Sequence, residues 1–137
     1  MKESPEKLSE VRLWIEKAEN DLINAEHTLT LKKKCPFDTV CFHAQQCAEK
    51  YLKGLLVFQS IDFPKTHDLL LLLKLVPELP DFDLNPADLL LLNRYSVEAR
   101  YPGDWEEIFR EEAEEALLKA KKVRETVRSV LPPKAMK

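Results

Sequence analysis

The chain has 137 residues, 21 Lys+Arg against 24 Asp+Glu, 45% apolar residues, two glycines, nine prolines and three cysteines. A domain of this size buries roughly two-thirds of the surface its unfolded chain exposes, so neither disulfides nor a structural metal is needed to fold it. The apolar fraction excludes a disordered chain, the scarcity of glycine argues against turn-rich β-sandwiches and barrels, and a net charge of −3 supplies no global field toward DNA or an anionic membrane.

The first fourteen residues, MKESPEKLSEVRLW, lack the apolar stretch and small-residue cleavage site of a secretory signal. A cytoplasmic location is therefore expected, with three cysteines as free thiols. The longest apolar run, Leu69 to Leu73, falls far short of the roughly 20 residues that span a bilayer, so no membrane association is expected.

From Leu8 the apolar residues Val11, Ile15, Ala18, Leu22, Ala25 and Leu29 follow in steps of three and four, which predicts one long amphipathic helix. Ser4 before Pro5, or else Ser9, is positioned to cap it, and Lys32-Lys33-Lys34-Cys35-Pro36 ends it. Asp38 is the expected cap of a second helix reaching about Ser60. Its apolar stripe, Val40, Ala44, Cys47, Ala48, Tyr51, Leu55 and Phe58, is wide enough to predict a central position between two neighbours. Thr66 opens a short apolar segment from His67 to Val76, closed by Pro77 and Pro80. Asn85-Pro86 starts a fourth helix through four leucines toward Arg100, broken near Tyr101-Pro102. Asp104 and Glu107 resemble a capping box for a last helix whose stripe runs from Phe109 to Val130 and stops at Pro132-Pro133. Glu115 and Lys119 form a favourable pair on its exposed side. The expected architecture is all-α: an up-and-down antiparallel bundle of about five helices in a single domain over 1–137, with a flexible tail over 132–137.

Three groups of residues could carry chemistry. Cys35, Cys41 and Cys47 stand six apart, which is not structural-zinc spacing. His43 and Cys47 share a helix face but lack further ligands nearby, so buried or surface thiols are the simpler reading and no metal is expected. His43, Gln46, Lys50 and Lys53 form a basic stripe suited to phosphate oxygens, the lysines as point charges and Gln46 as a hydrogen-bonding partner; the alternative is a solvated helix face. The segment from Asn93 to Trp105 crowds Arg94, Tyr95, Glu98, Arg100 and Tyr101 at the end of a buried helix, which suggests a cleft mouth, or else an Arg94–Glu98 pair with aromatic residues closing a turn.

Three blocks, His43-Ala44-Gln45-Gln46-Cys47-Ala48-Glu49-Lys50-Tyr51-Leu52-Lys53-Gly54-Leu55-Leu56, Pro64-Lys65-Thr66-His67-Asp68-Leu69 and Glu98-Ala99-Arg100-Tyr101-Pro102, resemble the HEPN family in order and spacing. The resemblance covers most of the chain. It implies a bundle with two long antiparallel helices, a homodimer, and a small nucleotidyltransferase as partner, often in a toxin–antitoxin pair. Many members are metal-independent ribonucleases with an arginine and, four to six residues later, a histidine at the dimer interface.

Arg94 matches that arginine, but Ala99, Arg100 and Tyr101 occupy the region where the histidine is expected. In the variant that carries a tyrosine two residues after the histidine, Tyr101 falls on the tyrosine, which the resemblance marks as a target for nucleotide attachment. Alanine cannot move a proton, and arginine stays charged near neutral pH, so ribonuclease activity is expected to be weak or absent unless His43 or His67 reaches the same cleft. The expected function is therefore a nucleotide- or RNA-binding interaction module using His43, Gln46, Lys50, Lys53, Arg94 and Arg100, without a cofactor. The alternatives are a ribonuclease toxin dependent on Arg94 and a homodimer whose polar cleft is structural.

Overall fold

The computed structural model describes residues 4–96 and 106–137. Among the described residues five α-helices follow in order: α1 Pro5–Leu29, α2 Phe37–Phe58, α3 Leu69–Leu75, α4 Pro86–Asn93 and α5 Arg110–Val130, with a 3-10 turn at Pro133–Ala135. Among the described residues there are no strands, and no helix is long and apolar enough to cross a membrane.

Helix α1 begins as its sequence requires, with the Ser4 hydroxyl accepting from the Lys7 amide at 3.1 Å and Pro5 in the first turn. Its stripe buries Val11, Ile15, Ala18, Leu22 and Ala25 against α2. The two run antiparallel: Lys7 Nζ donates to the Phe58 carbonyl near one end, and Asp21 meets Lys50 and His43 toward the other. Gly54 allows a close approach of the two helices. A Cβ there would lie 3.1 Å from Trp14 Cβ and 3.4 Å from Ile15 Cδ1. Helix α5 also runs against α1, with Arg110 donating to the Leu29 carbonyl at 2.9 Å and Arg124 holding Glu19 farther along.

The central position predicted for α2 is observed, since it packs on α1, α3, α4 and α5. Its buried set, including Val40, Cys41, Ala44, Cys47, Ala48, Tyr51, Leu52, Leu55 and Leu56, wraps most of the helix circumference. Each fully buried leucine in such a core contributes about 1.5–3 kcal/mol relative to exposure.

Several boundaries differ from expectation for local reasons. Helix α2 starts at Phe37 with Pro36 in the cap position and no side-chain cap, so Asp38 lies in the first turn, where its charge favours the helix dipole. Helix α3 is capped by Asp68, which accepts from the amides of Leu70 and Leu71, while the Thr66 hydroxyl accepts from the Asp68 amide. Helix α4, capped by Asn85 as predicted, ends at Asn93 rather than near Arg100. Helix α5 starts at Arg110, which leaves Glu107 ahead of the helix rather than in a capping box; Asp104 lies outside the described residues. At the end of the chain Leu131 and Ala135 are buried, and Arg12 donates to the Lys134 carbonyl at 2.9 Å.

Candidate functional site

The stripe His43, Gln46, Lys50 and Lys53 divides between two carboxylates. His43 and Lys50, seven positions apart and therefore nearly eclipsed on α2, both reach Asp21 of α1: His43 Nδ1 is 2.7 Å from Oδ1, and Lys50 Nζ is 2.5 Å from Oδ2. Asp21 is 7% exposed, so this carboxylate holds both cations in the α1–α2 seam. Gln46 and Lys53, also seven apart, turn toward Glu49. Lys53 Nζ donates to Glu49 Oε2 at 2.9 Å, and Gln46 Nε2 lies 3.4 Å from Glu49 Oε1 and 2.7 Å from Gln45 Oε1.

Glu49 is the hub of this second group. It is 3% exposed, and a carboxylate so deep in a protein must be compensated by donors. Besides Lys53 and Gln46 it meets His67 Nδ1 at 2.8 Å and Gln45 Nε2 at 3.3 Å. Gln45, fully buried, also donates to the His67 carbonyl at 3.0 Å, which pins the segment before α3 onto α2. The Lys53 ammonium stands 5.8 Å from the ring centres of both Trp14 and Phe63, so aromatic faces shelter it from one side.

Over this network opens a hollow of about 720 Å³ lined by Lys53, Lys65, Thr66, His67, Asp68, Asn93 and Ser96. Among the described residues, three elements build it: the C-terminal half of α2, the segment leading into α3, and the end of α4. One junction locks the last two together. Asn93 Oδ1 accepts from the Leu69 amide at 2.8 Å while its Nδ2 donates to Asp68 Oδ1 at 2.9 Å. The side-chain amide thus completes the cap of α3 and fixes the rim where α4 ends.

Of the residues singled out in the sequence, Lys53 lines the hollow and Gln46 supports the carboxylate beneath it. His43 and Lys50 are engaged on Asp21. Arg94 is exposed at the C-cap of α4, directly after Asn93. Arg100 and Tyr101, with Ala99 and Glu98, lie outside the described residues. Glu49, Lys65, Thr66, His67, Asp68, Asn93 and Ser96 were not assigned a role as binding residues. Their signal was the Pro64–Leu69 block together with the Gln45–Glu49–Lys53 spacing of four, which places three polar side chains on one line of a helix that is otherwise buried.

A second polar network is structural. Arg124 grips Glu19 through Nε at 2.7 Å and Nη2 at 3.0 Å, Tyr51 donates to the same carboxylate at 2.5 Å, and Arg128 donates to the Tyr51 hydroxyl at 3.2 Å. Burial alone would raise the Glu19 pKa, but the hydrogen bonds from Arg124 and Tyr51 and the nearby guanidinium charges outweigh it and hold it below the usual range. Burial pushes the Cys47 thiol far upward. Among the described residues, no group of three His, Cys, Asp or Glu side chains is placed to hold a metal ion.

This arrangement, a central helix carrying the His43–Leu56 block and an adjoining segment carrying the Pro64–Leu69 block, has counterparts among known proteins. A family model described as the HEPN domain matches residues 11–130. The crystal structure of TT1696 from Thermus thermophilus is 33% identical, with a TM-score of 0.74 over 88% of this chain and 98% of that one. ST0689, an archaeal HEPN homologue, is 28% identical, with a TM-score of 0.67 over 87% and 95% of the respective chains. No curated protein matches the chain. The match over most of its length, on a bundle whose order and blocks agree with it, shows that the chain belongs to the HEPN domain family.

Proposed function

We propose that the protein is a nucleotide- or RNA-binding interaction module and that the hollow at the α2–α3–α4 junction receives the phosphate backbone. The observation that carries this reading is the convergence of Lys53, Lys65, Thr66 and His67 on one open cavity of about 720 Å³, large enough for a nucleotide. Lys65 is exposed at the rim, Thr66 offers a hydroxyl and Lys53 stands at the inner wall, a mixture of point charges and hydrogen-bonding groups suited to phosphate oxygens. Arg94, next to the Asn93 rim, extends the cationic surface outward. Within this reading a small nucleotidyltransferase is the protein partner, a second copy of the chain completes a dimer, and the pair works in the cytoplasm in a toxin–antitoxin-like role, with Tyr101 as a target for nucleotide attachment.

Fluorescence anisotropy with a labelled single-stranded oligoribonucleotide tests it. Saturable binding that weakens with salt, and weakens several-fold in Lys65→Ala and again in Arg94→Ala, is expected. Binding that ignores both substitutions would place the contact elsewhere. Absence of saturable binding would leave the hollow without this role.

The ribonuclease alternative has one observation in its favour: His67, a residue able to move protons near neutral pH, lines the same hollow as Asn93, the neighbour of Arg94. Incubation of the same RNA with wild-type and His67→Asn protein separates the readings. The binding module predicts intact RNA with both proteins, whereas cutting by the wild type that His67→Asn abolishes would establish the enzyme.

A further inference from the structure

Helix α1 carries an uncovered face of mixed chemistry. Glu10, Leu13, Trp14 and Lys17 fall within about 100° of the helix circumference. Leu13 is 53% exposed, and Glu10 and Lys17 are exposed on either side of it. Among the described residues these four line a recess of about 300 Å³, and neither Glu10 nor Lys17 has an ion-pair partner there. The exposed Leu118 and Ile23 differ in this respect: the charges three positions from them are already paired within the chain, Lys121 with Glu26 and Glu115 with Lys119. Trp14 is also held in place. Its ring meets Phe63 edge to face with centres 6.3 Å apart, and the Lys53 ammonium stands 5.8 Å from its centre. A large side chain fixed in this way has little rotamer freedom left to lose when a partner covers it.

We propose that this face of α1 is the contact for a second copy of the chain, the two α1 helices packing antiparallel about a two-fold axis that passes between Leu13 and Trp14. The inference rests on the reading that a second copy completes a dimer, and it adds the face and the register. Glu10 lies three residues before Leu13, and Lys17 lies three residues after Trp14. Antiparallel pairing about that midpoint therefore sets Glu10 against the partner's Lys17, and the same axis sets Lys17 against the partner's Glu10. Leu13 packs on the partner's Trp14, which gives an apolar centre between two charged pairs about 10 Å apart along the helix. One turn farther out Lys7 falls opposite the uncharged Asn20. Glu6 falls opposite Asp21, whose charge is buried and held by His43 and Lys50. Parallel pairing in register would instead oppose Glu10 to Glu10 and Lys17 to Lys17. A contact of this two-fold kind closes at two copies and leaves no open end for further growth.

Sedimentation equilibrium of the full chain over a concentration series, at low and constant ionic strength, tests the proposal. The wild type should be a dimer. Leu13→Glu should raise the dissociation constant at least about tenfold, because the change enters the contact twice. Glu10→Lys alone, or Lys17→Glu alone, brings like charges together at both ends and should weaken the dimer about tenfold. The double variant Glu10→Lys/Lys17→Glu exchanges the two charges and should return the constant to within about threefold of wild type, a recovery that a fault in folding would not produce. A dimer equally stable in all four variants, or a double variant no tighter than the single ones, would overturn this face and register while leaving the dimer reading intact. A wild type that is monomeric at every concentration would remove the dimer reading and the interface with it.

Discussion

Lys50 and Lys53 stand three residues apart on α2 and donate to different carboxylates, Lys50 to Asp21 of α1 at 2.5 Å and Lys53 to Glu49 of its own helix at 2.9 Å. The step of three residues rotates the side chain about 60° around the helix, enough to send one lysine into the α1–α2 seam and the other to the wall of the hollow. A stripe that looks continuous in sequence therefore serves two purposes, joining helices on one side and shaping a cavity on the other.

The seam makes the first prediction. Asp21 is the common partner of His43 and Lys50 and is buried, so Asp21→Ala strands a lysine and a histidine beside apolar side chains. Losing one partner of a buried ion pair is more costly than losing an exposed one, and a destabilisation of about 2–4 kcal/mol is expected in urea unfolding. Lys50→Met should cost less, because Asp21 keeps His43. Equal stability of Asp21→Ala and wild type would show that the seam is held by apolar packing alone.

The Glu19 network makes the second. The Glu19 carboxyl titrates below its usual range in the folded chain, so it contributes stability that is present above the unfolded pKa and disappears as pH falls through the folded one. Thermal midpoints of wild type and Glu19→Gln should differ most near neutral pH and converge as the solution is acidified from about pH 6 toward pH 3. A gap that stays constant over that range would mean that Glu19 does not titrate differently on folding.

Thiol reactivity supplies the third. Cys41 and Cys47 are fully buried, and burial pushes the Cys47 thiol upward, away from the reactive thiolate. Cys35 is only partly buried, its thiol directed to the Thr28 carbonyl at 3.2 Å. An aromatic disulfide reagent should titrate one thiol rapidly in the native protein and all three after denaturation. Rapid reaction of three thiols under native conditions would contradict the packing of α2.

The bundle was legible because its signals are local. Ser4-Pro5 and Asn85-Pro86 mark helix starts through capping and proline geometry, and the stripes of α1 and α5 follow the helical period over more than twenty residues each. The basic stripe was legible as residue types but not as a site. Which carboxylate each cation meets depends on the packing of α1 against α2 and of the segment before α3 against α2, and no spacing along α2 contains Asp21 or His67. Asn93 shows the same limit. Its amide caps a helix 24 residues away, a role set by the fold and by no motif around it. The start of α3 differs from expectation because competing caps, Thr66 against Asp68, are equivalent in sequence until one of them captures the helix amides.

Amide chemical-shift mapping by NMR tests directly whether the α2–α3–α4 hollow is where nucleic acid meets this chain. On titration with a short single-stranded oligoribonucleotide at pH 6, the largest shifts should fall on Lys53, Lys65 to Asp68, Asn93 and Ser96, with the Asp21 seam near His43 and Lys50 little changed. Shifts confined to the seam or to the outer face of α5, or no shifts at saturating RNA, would contradict it.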